Sequence, residues 1–366
     1  ERHTVCPFEL GLDSSLWSDV IIGDYNYLFD PVVHLVRFFE SAGDYIFLVD
    51  EAHNLPGRAR EMHSAALTKT SFYEAKKLLG KGKSSLKNTL TKVNDVFIEW
   101  RHRAEEETAA RDGRFGKTFF LKERSEEFDH LLNRLCEPLE AWLDDHREPD
   151  ETHTALLQLY FDVRAWLRVA DTFDDHFVLQ ITASGSEVRA AQLCLDPSAF
   201  LADSFALGRA AVLFSATLAP ASYYKDLCGV PEARAVALRS PFPAGNQGLF
   251  CIGNVSTRYK DRDASLAIVE ESLATMVRAR CGNYLAFFPS YAYMEQAYAQ
   301  FKEHCPEINC IKQENAMDEQ QKAAFLAQFV PGPSQTLLGF AVMGGVFGEG
   351  VDLTGDRLIG VGIVGP

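Results

Sequence analysis

Short apolar runs that stop abruptly at polar residues set the rhythm of the first 60 residues and of the chain after about residue 200. Asp44-Tyr45-Ile46-Phe47-Leu48-Val49 runs into Asp50 and Glu51. Ser18-Asp19-Val20-Ile21-Ile22-Gly23 is a similar short run, and Ala210-Ala211-Val212-Leu213-Phe214 ends at Ser215-Ala216-Thr217. Runs of this length, rich in β-branched and aromatic residues, predict buried parallel strands. With helical stretches between them they predict an open α/β sheet, which binds ligands at the carboxyl ends of its strands. The rhythm returns after Pro220. Strands are predicted at Gly282–Phe288, Thr336–Val342 and Leu358–Val364, with a helix through Met294 and Tyr298 after the first of them.

The middle of the chain is patterned differently. From about Glu61 to Ala170 charged residues are dense and helical periodicity dominates, over Ser71–Leu79, Ser85–Arg103, Ser125–Leu143 and Thr154–Val169. Leu131, Leu132, Leu135, Leu139 and Trp142 form one apolar stripe. The pattern predicts an all-helical insertion over 63–189, splitting a first α/β half (1–62 and 190–238) from within. A second α/β half spans 239–366, and Ser240-Pro241-Phe242-Pro243 reads as the hinge between the halves.

Composition adds two constraints. With 366 residues, 47% hydrophobic and 24% charged, the chain is long enough for two or three domains and is neither fibrous nor largely disordered. No run approaches 18 consecutive apolar residues, so no membrane-spanning helix is expected. Glu1-Arg2-His3-Thr4 resembles neither a start nor a signal peptide, and the chain reads as an excerpt of something longer. The eight cysteines are scattered without a Cys-x-x-Cys pair, which points to a reducing compartment and to mostly buried thiols. The net charge of −15 argues against a protein coated for nucleic acid, yet its distribution is uneven. Arg58–Arg103 carries roughly +7 and Ala104–His176 roughly −10. The basic stretch is either a solvated helix face or a local anion-binding surface.

Three segments carry candidate chemistry. Asp50-Glu51-Ala52-His53 puts two carboxylates at a strand mouth. This suits phosphoryl transfer, with Asp50 holding Mg²⁺ through its water shell and Glu51 orienting the attacking water. The same carboxylates also suit an acidic helix N-terminus. Ser215-Ala216-Thr217 places two hydroxyls at another strand end, where capping is the alternative. Gly344-Gly345-Val346-Phe347-Gly348-Glu349-Gly350-Val351-Asp352 is a glycine-rich turn that lets backbone approach a ligand closely.

Taken in order, Asp-Glu-Ala-His, Ser-Ala-Thr, Phe287-Phe288-Pro289-Ser290-Tyr291 and Gly348-Glu349-Gly350-Val351-Asp352 resemble motifs II, III, IV and V of superfamily 2 helicases. The spacing of about 160 residues between His53 and Ser215 resembles the XPD/DinG type, whose Arch domain is inserted there. Val5-Cys6-Pro7-Phe8-Glu9 resembles the last cysteine ligand of that family's [4Fe–4S] cluster, and Asp24–Pro31 its Asn-Tyr segment. Phe-Phe-Pro-Ser-Tyr and Ser-Pro-Phe-Pro favour a bacterial DinG-like branch.

The resemblance implies two RecA-like lobes, both incomplete here, with an Arch-type insertion in the first. It implies an ATP-dependent motor that moves 5′→3′ on single-stranded DNA and unwinds duplex, in repair or replication. Such a protein would be cytoplasmic, nucleoid-associated if bacterial, and would use ATP, Mg²⁺ and a [4Fe–4S] cluster. Asp50, Glu51 and His53 would be catalytic, and Ser215, Ala216 and Thr217 would couple nucleotide to lobe closure. Gly348, Glu349, Gly350 and Asp352 would form motif V. Tyr25, Asn26, Tyr259, Lys260, Arg262, Ser290 and Tyr291 would contact DNA, and Cys6 would be one cluster ligand. The chain departs from the family in three respects. Gly82-Lys83-Ser84 and Gly116-Lys117-Thr118 lack the upstream Gly and the preceding strand of a phosphate loop. Motif VI is absent, and so are three cluster cysteines. An inactive helicase-fold DNA-binding or scaffold protein is the alternative.

Overall fold

The computed structural model describes residues 5–80, 84–110, 117–348 and 350–365. Glu349 lies outside them, as do Gly82, Lys83 and Gly116 of the two rejected phosphate loops. The chain divides into two compact units, Glu1–Leu238 and Arg239–Pro366.

The first unit holds two sheets. β1 (Ile46–Val49) is the first strand of a parallel pair. The connection from β1 to its partner contains a second, antiparallel sheet made of β2 (Ala65–Thr68), β3 (Lys117–Leu121), β4 (Phe177–Ser184) and β5 (Glu187–Cys194), and β6 (Ala210–Leu213) then returns to pair with β1. Val49 stands opposite Leu213, so both strands end at the same edge and deliver Asp50 and Ser215 together. Helices Leu55–Met62 and Ser198–Ala206 bury Leu55, Ala59, Leu201 and Phe205 with Val49, Ala52 and Phe29.

Two strand expectations are corrected here. β1 is not buried on both faces: Ile46 and Leu48 are 64% and 69% exposed, because a helical layer packs only on the Val49 side. Ser18–Gly23 is not a strand. Ile22 is 95% exposed, and among the described residues no strand lies beside this segment to complete a hydrogen-bond ladder.

The insertion is not all-helical. Its helices Lys69–Leu78, Ser85–Ala110, Glu126–Asp145 and Glu151–Asp171 follow the sequence pattern, but they pack on a four-stranded antiparallel sheet in the order β2-β5-β4-β3. Leu179, Ile181 and Ala183 of β4 alternate inward and join Phe72, Phe97, Phe119, Phe128 and Trp166 in one core, while Phe177 at the start of the strand packs in a smaller cluster with Val169 and Cys194. β4 and β5 turn through Gly185 and Ser186; Gly185 has φ +61, a conformation that favours glycine. Two short strands embedded between helices hide much of this sheet from local pattern reading: β2 pairs Ala65 with Gln192 and β3 pairs Lys117 with Ala183.

The insertion leaves and re-enters the α/β part at one place. Ser64 Oγ accepts from Cys194 N–H at 2.9 Å, Arg60 Nε donates to the Leu195 carbonyl at 2.8 Å, and the His63 ring stacks on Phe200 at 3.9 Å. Burial lowers the His63 pKa, which favours the neutral ring in that stack.

The second unit is a parallel sheet of β7 (Asn283–Phe288), β8 (Asn309–Lys312), β9 (Leu337–Val342) and β10 (Gly360–Ile363), in the order β10-β7-β9-β8. Central β9 is buried at every residue, as a strand covered on both faces must be. Helices Arg262–Ala279 and Tyr291–His304 cover one face, and Phe325, Phe329 and Phe347 the other. Helix Glu319–Leu326 opens with a full capping box between Asp318 and Gln321. Not all cysteines are buried: Cys6, Cys251 and Cys281 are exposed.

Candidate functional site

The sheet edge of the first unit joins two segments 162 residues apart. Ser215 Oγ donates its one proton to Glu51 Oε2 at 3.1 Å. Its oxygen then accepts from Thr217 N–H at 3.2 Å and lies 2.8 Å from His53 Nδ1. With the serine proton committed to Glu51, Nδ1 must carry the hydrogen that points at Ser215. His53 Nδ1 is also 3.2 Å from Glu51 Oε2. Glu51, His53, Ser215 and Thr217 thus form one hydrogen-bonded cluster at the strand mouth, while Ala216 is exposed beside it.

The backbone is shaped to hold this cluster. Glu51 has φ +45, a left-handed conformation uncommon for a residue with a side chain. Asp50 Oδ1 accepts from Glu51 N–H at 2.7 Å. From the other side, the Tyr25 hydroxyl donates to the carbonyls of Asp50 and Glu51. Burial first, and then the carboxylates of Asp50, Glu51 and Asp24, raise the Tyr25 pKa, so the phenol keeps its proton. Tyr25 also sets its ring edge on Phe29. Tyr25 is therefore engaged with the acidic box itself. Asn26, half-buried, follows it at the start of a single helical turn.

Asp50 is exposed, and its second oxygen has no partner among the described residues. A free carboxylate oxygen at a strand end suits a hard divalent cation held through water. Cys6 is exposed at the N-terminus of helix Pro7–Ser15, and no group of three or more metal-ligating residues occurs among the described residues. A [4Fe–4S] cluster takes four thiolates. The eight described cysteines form no such group, so they do not by themselves fit the cluster.

In the second unit the predicted residues also collect at the carboxyl ends of the strands. Ser290 caps helix Tyr291–His304, accepting from Tyr293 N–H. Arg262 Nη1 donates to Ser290 Oγ at 3.2 Å, and the Arg262 guanidinium lies over the rings of Tyr259 and Tyr293 at 5.4 and 5.3 Å. Tyr259 is 87% exposed, and Lys260 is exposed beside it. In the glycine-rich loop Phe347 is buried and stacks on Phe325 at 4.5 Å, while Gly348, Gly350 and Asp352 are exposed. Gly350 has φ +72, which requires its lack of a side chain. The buried apolar anchor holds the loop so that its glycines and Asp352 face outward.

Pattern reading missed Gln313. It follows β8, is 1% exposed, and bonds Tyr291 on one side and Val342 on the other. The rule that singled out Asp50 and Ser215 could not find it, because β8 is Asn-Cys-Ile-Lys and carries polar residues at both ends.

Comparison with known proteins follows this geometry. The family model DEAD_2 matches residues 1–72, and that of the helicase C-terminal domain matches residues 273–366. The chain is 21% identical over 417 residues to the ATP-dependent DNA helicase CHL1 of Coccidioides immitis, covering 100% of this chain and 48% of the relative. It is 24% identical over 410 residues to the general transcription and DNA repair factor IIH helicase subunit XPD of Schizosaccharomyces pombe, covering 92% and 51%. A probable ATP-dependent helicase of Methanocaldococcus jannaschii, MJ0942, is 27% identical over 162 residues, covering 42% and 24%. The chain thus spans about half the length of the first two of these relatives and about a quarter of the third. Two solved structures share the fold. "XPD_APO" has a TM-score of 0.52 at 18% identity, covering 98% of this chain and 68% of that one. "XPD_Helicase" has 0.51 at 17%, covering 99% and 61%.

Proposed function

We propose that this chain, which is similar to helicases of the XPD/DinG type, is part of the motor of an ATP-dependent DNA helicase that moves along single-stranded DNA. The observation that carries the reading is the Glu51–Ser215–His53 cluster, which ties the acidic box to the hydroxyl motif. A carboxylate held by a weak, replaceable hydroxyl contact can turn toward a bound nucleotide and still report its state. In this reading Glu51 orients the attacking water. Asp50 holds Mg²⁺ through its water shell, and the ion, when bound, neutralises phosphate charge. The water contact competes with the Ser215 contact for the same carboxylate. Ser215, passing that competition to His53 and Thr217, would link hydrolysis to movement.

The exposed cation–aromatic group of Tyr259, Lys260 and Arg262, with Ser290, supports a single-strand path over the second unit. The roughly +7 segment Arg58–Arg103 supports anion binding on the insertion. Cys6 would serve as one thiolate of a cluster whose other ligands lie elsewhere in a longer protein. Movement 5′→3′, a role in repair or replication and a DinG-like branch are the finer parts of this proposal and rest on the motif resemblance.

The test uses the longer protein that carries this chain. ATP hydrolysis is measured with and without single-stranded DNA, beside strand displacement. DNA is expected to stimulate hydrolysis. Ser215→Ala is expected to keep hydrolysis within a few-fold while strand displacement falls about tenfold or more, since the coupling contact is lost and the water-orienting carboxylate is not. No DNA stimulation and no displacement by the unaltered protein would overturn the reading in favour of a binding scaffold.

Tyr25 gives a second expectation. Tyr25→Phe removes the donor to two carbonyls that hold Glu51 in its left-handed conformation. Turnover should fall about tenfold through misplacement of the carboxylate, with DNA affinity kept. The reverse result, weakened DNA binding with turnover intact, would place Tyr25 on the DNA path instead.

A further inference from the structure

Gln313 is one of five buried polar or charged side chains among the described residues, and both ends of its amide are used. Val342 N–H donates to Gln313 Oε1 at 3.0 Å, and Gln313 Nε2 donates to the Tyr291 hydroxyl at 2.7 Å. Its backbone N–H donates to the Phe340 carbonyl at 2.8 Å. The amide cannot be turned over, because a backbone N–H can only donate and so must face an oxygen. The nitrogen then faces Tyr291 without choice. A Cβ added at Gly345 would stand 3.0 Å from Gln313 Nε2 and 2.9 Å from the Val342 carbonyl oxygen, so the glycine-rich loop begins directly against this amide.

The orientation has a consequence at Tyr291. Its hydroxyl accepts from Gln313, so its own proton must point to some other acceptor. Among the described residues nothing accepts from it. The ring is half-buried and packs on the core under β7 and β9, which leaves it unavailable for stacking on a base. Only the O–H is on offer. Beside it, Ser290 Oγ already accepts from Tyr293 N–H and from Arg262, so its proton is likewise directed elsewhere.

We propose that Gln313 is a positioning residue that fixes the Tyr291 hydroxyl as a hydrogen-bond donor to a backbone phosphate oxygen of single-stranded DNA, and that it ties this donor to the root of the glycine-rich loop. The proposal rests on the helicase reading above and sharpens it: Tyr291 recognises phosphate through its proton and reads no base. A ligand that moves Tyr291 pulls on Gln313, and so on the strand end from which Gly344 and Gly345 spring.

Gln313→Glu tests this by reversing one bond. A carboxylate still accepts from Val342 N–H but has no proton for Tyr291, so the Tyr291 hydroxyl must donate inward. Burial of the new carboxylate costs stability whatever the role of Gln313, and melting reads that cost; only a positioning role predicts a loss of DNA binding by the folded variant. Binding of fluorescein-labelled oligothymidylate to the longer protein at fixed salt is the readout, with thermal melting to check folding. Tyr291→Phe and Gln313→Glu are each expected to weaken binding about ten- to a hundredfold, as loss of a hydrogen bond to a charged group does. The double variant should be no weaker than either single one within about twofold, because both remove the same donor. Tyr291→Phe, which touches only the outward hydroxyl, keeps the test alive if Gln313→Glu fails to fold. Unchanged binding by Tyr291→Phe overturns the proposal, and so do effects that multiply in the double variant. Binding of a fluorescent ADP analogue is measured in parallel, and a loss confined to the nucleotide also overturns it. If the unaltered protein binds no oligothymidylate, the helicase reading falls and takes this inference with it. If the unaltered protein binds DNA and Tyr291→Phe binds equally well, only this inference falls.

Discussion

Glu51→Gln in the longer protein should lower ATP hydrolysis by about 10²- to 10⁴-fold, the usual worth of a positioned acid–base group. The substitution is nearly isosteric. The amide oxygen can still accept from Ser215, now donating at 3.1 Å, so the geometry of the cluster survives. The ability to polarise a water does not survive, because a neutral amide is a far weaker base than a carboxylate. Nucleotide should still bind, since Asp50 and its free oxygen are untouched. Phosphate release and binding of a fluorescent nucleotide separate the two effects. Full hydrolysis by this variant would remove Glu51 from the chemistry and leave the box as a capped strand end.

The other large effect is expected far from any ligand. Trp166 is fully buried among Phe128 and its neighbours, and its Nε1 donates to Asp129 Oδ1 at 2.8 Å. Trp166→Ala should destabilise the insertion by about 3–5 kcal/mol, through lost burial and the cavity left behind. Trp166→Phe separates the terms. It keeps most of the ring but strips Asp129 of its donor, for about 1.5–3 kcal/mol. Asp129 Oδ2 already lacks a hydrogen bond, and Arg124 Nε is 4.0 Å away.

Asp129 also predicts a pH dependence. Burial raises its pKa against the opposing Trp166 hydrogen bond and Arg124 charge. The folded form thus holds its proton to a higher pH than the unfolded form does. Its contribution is fully present below the unfolded carboxyl range, near pH ~3.9, and is lost as pH rises through the folded value. The stability of Asp129→Asn relative to the parent should therefore improve as pH rises from acid to neutral, read by tryptophan fluorescence melts. A relative stability that worsens over that range would mean that the carboxylate is favourably paired in the fold.

Of the strands of the two α/β parts, β1, β6, β7, β9 and β10 were legible as short apolar runs, and the segments that follow them located Asp50, Ser215, Ser290 and the glycine-rich loop. β8 was not legible: Asn309-Cys310-Ile311-Lys312 has polar residues at both ends, so no apolar run marks it or Gln313 beyond it. The helices of the insertion were legible from their periodicity, as with the stripe that includes Leu132, Leu135 and Leu139, all buried. The antiparallel sheet beneath them was only half legible. β4 alternates cleanly and turns through Gly185-Ser186 into β5, a readable hairpin, although Ala190, Ala191 and Gln192 of β5 are buried in succession. β2 and β3 are four and five residues long, and β2 pairs Ala65 with Gln192, a partner no local window contains. Ser18–Gly23 erred in the other direction. Its composition suits a strand, but a strand exists only beside another, and among the described residues none lies there.

The sequence by itself determined which residues stand at strand ends, and so which side chains have chemistry to offer, because polarity at the end of an apolar run is a local property. The order and spacing of those ends also carried the resemblance to a helicase family. What only the tertiary structure decided is how the groups are used. The parallel register of β1 and β6 sets Ser215 against Glu51, and Tyr25 turns out to hold the acidic box from behind. Gln313, buried between two loops, dictates which way the Tyr291 proton faces. Hydrogen-bond direction depends on partners brought from distant parts of the chain, and no local pattern contains them.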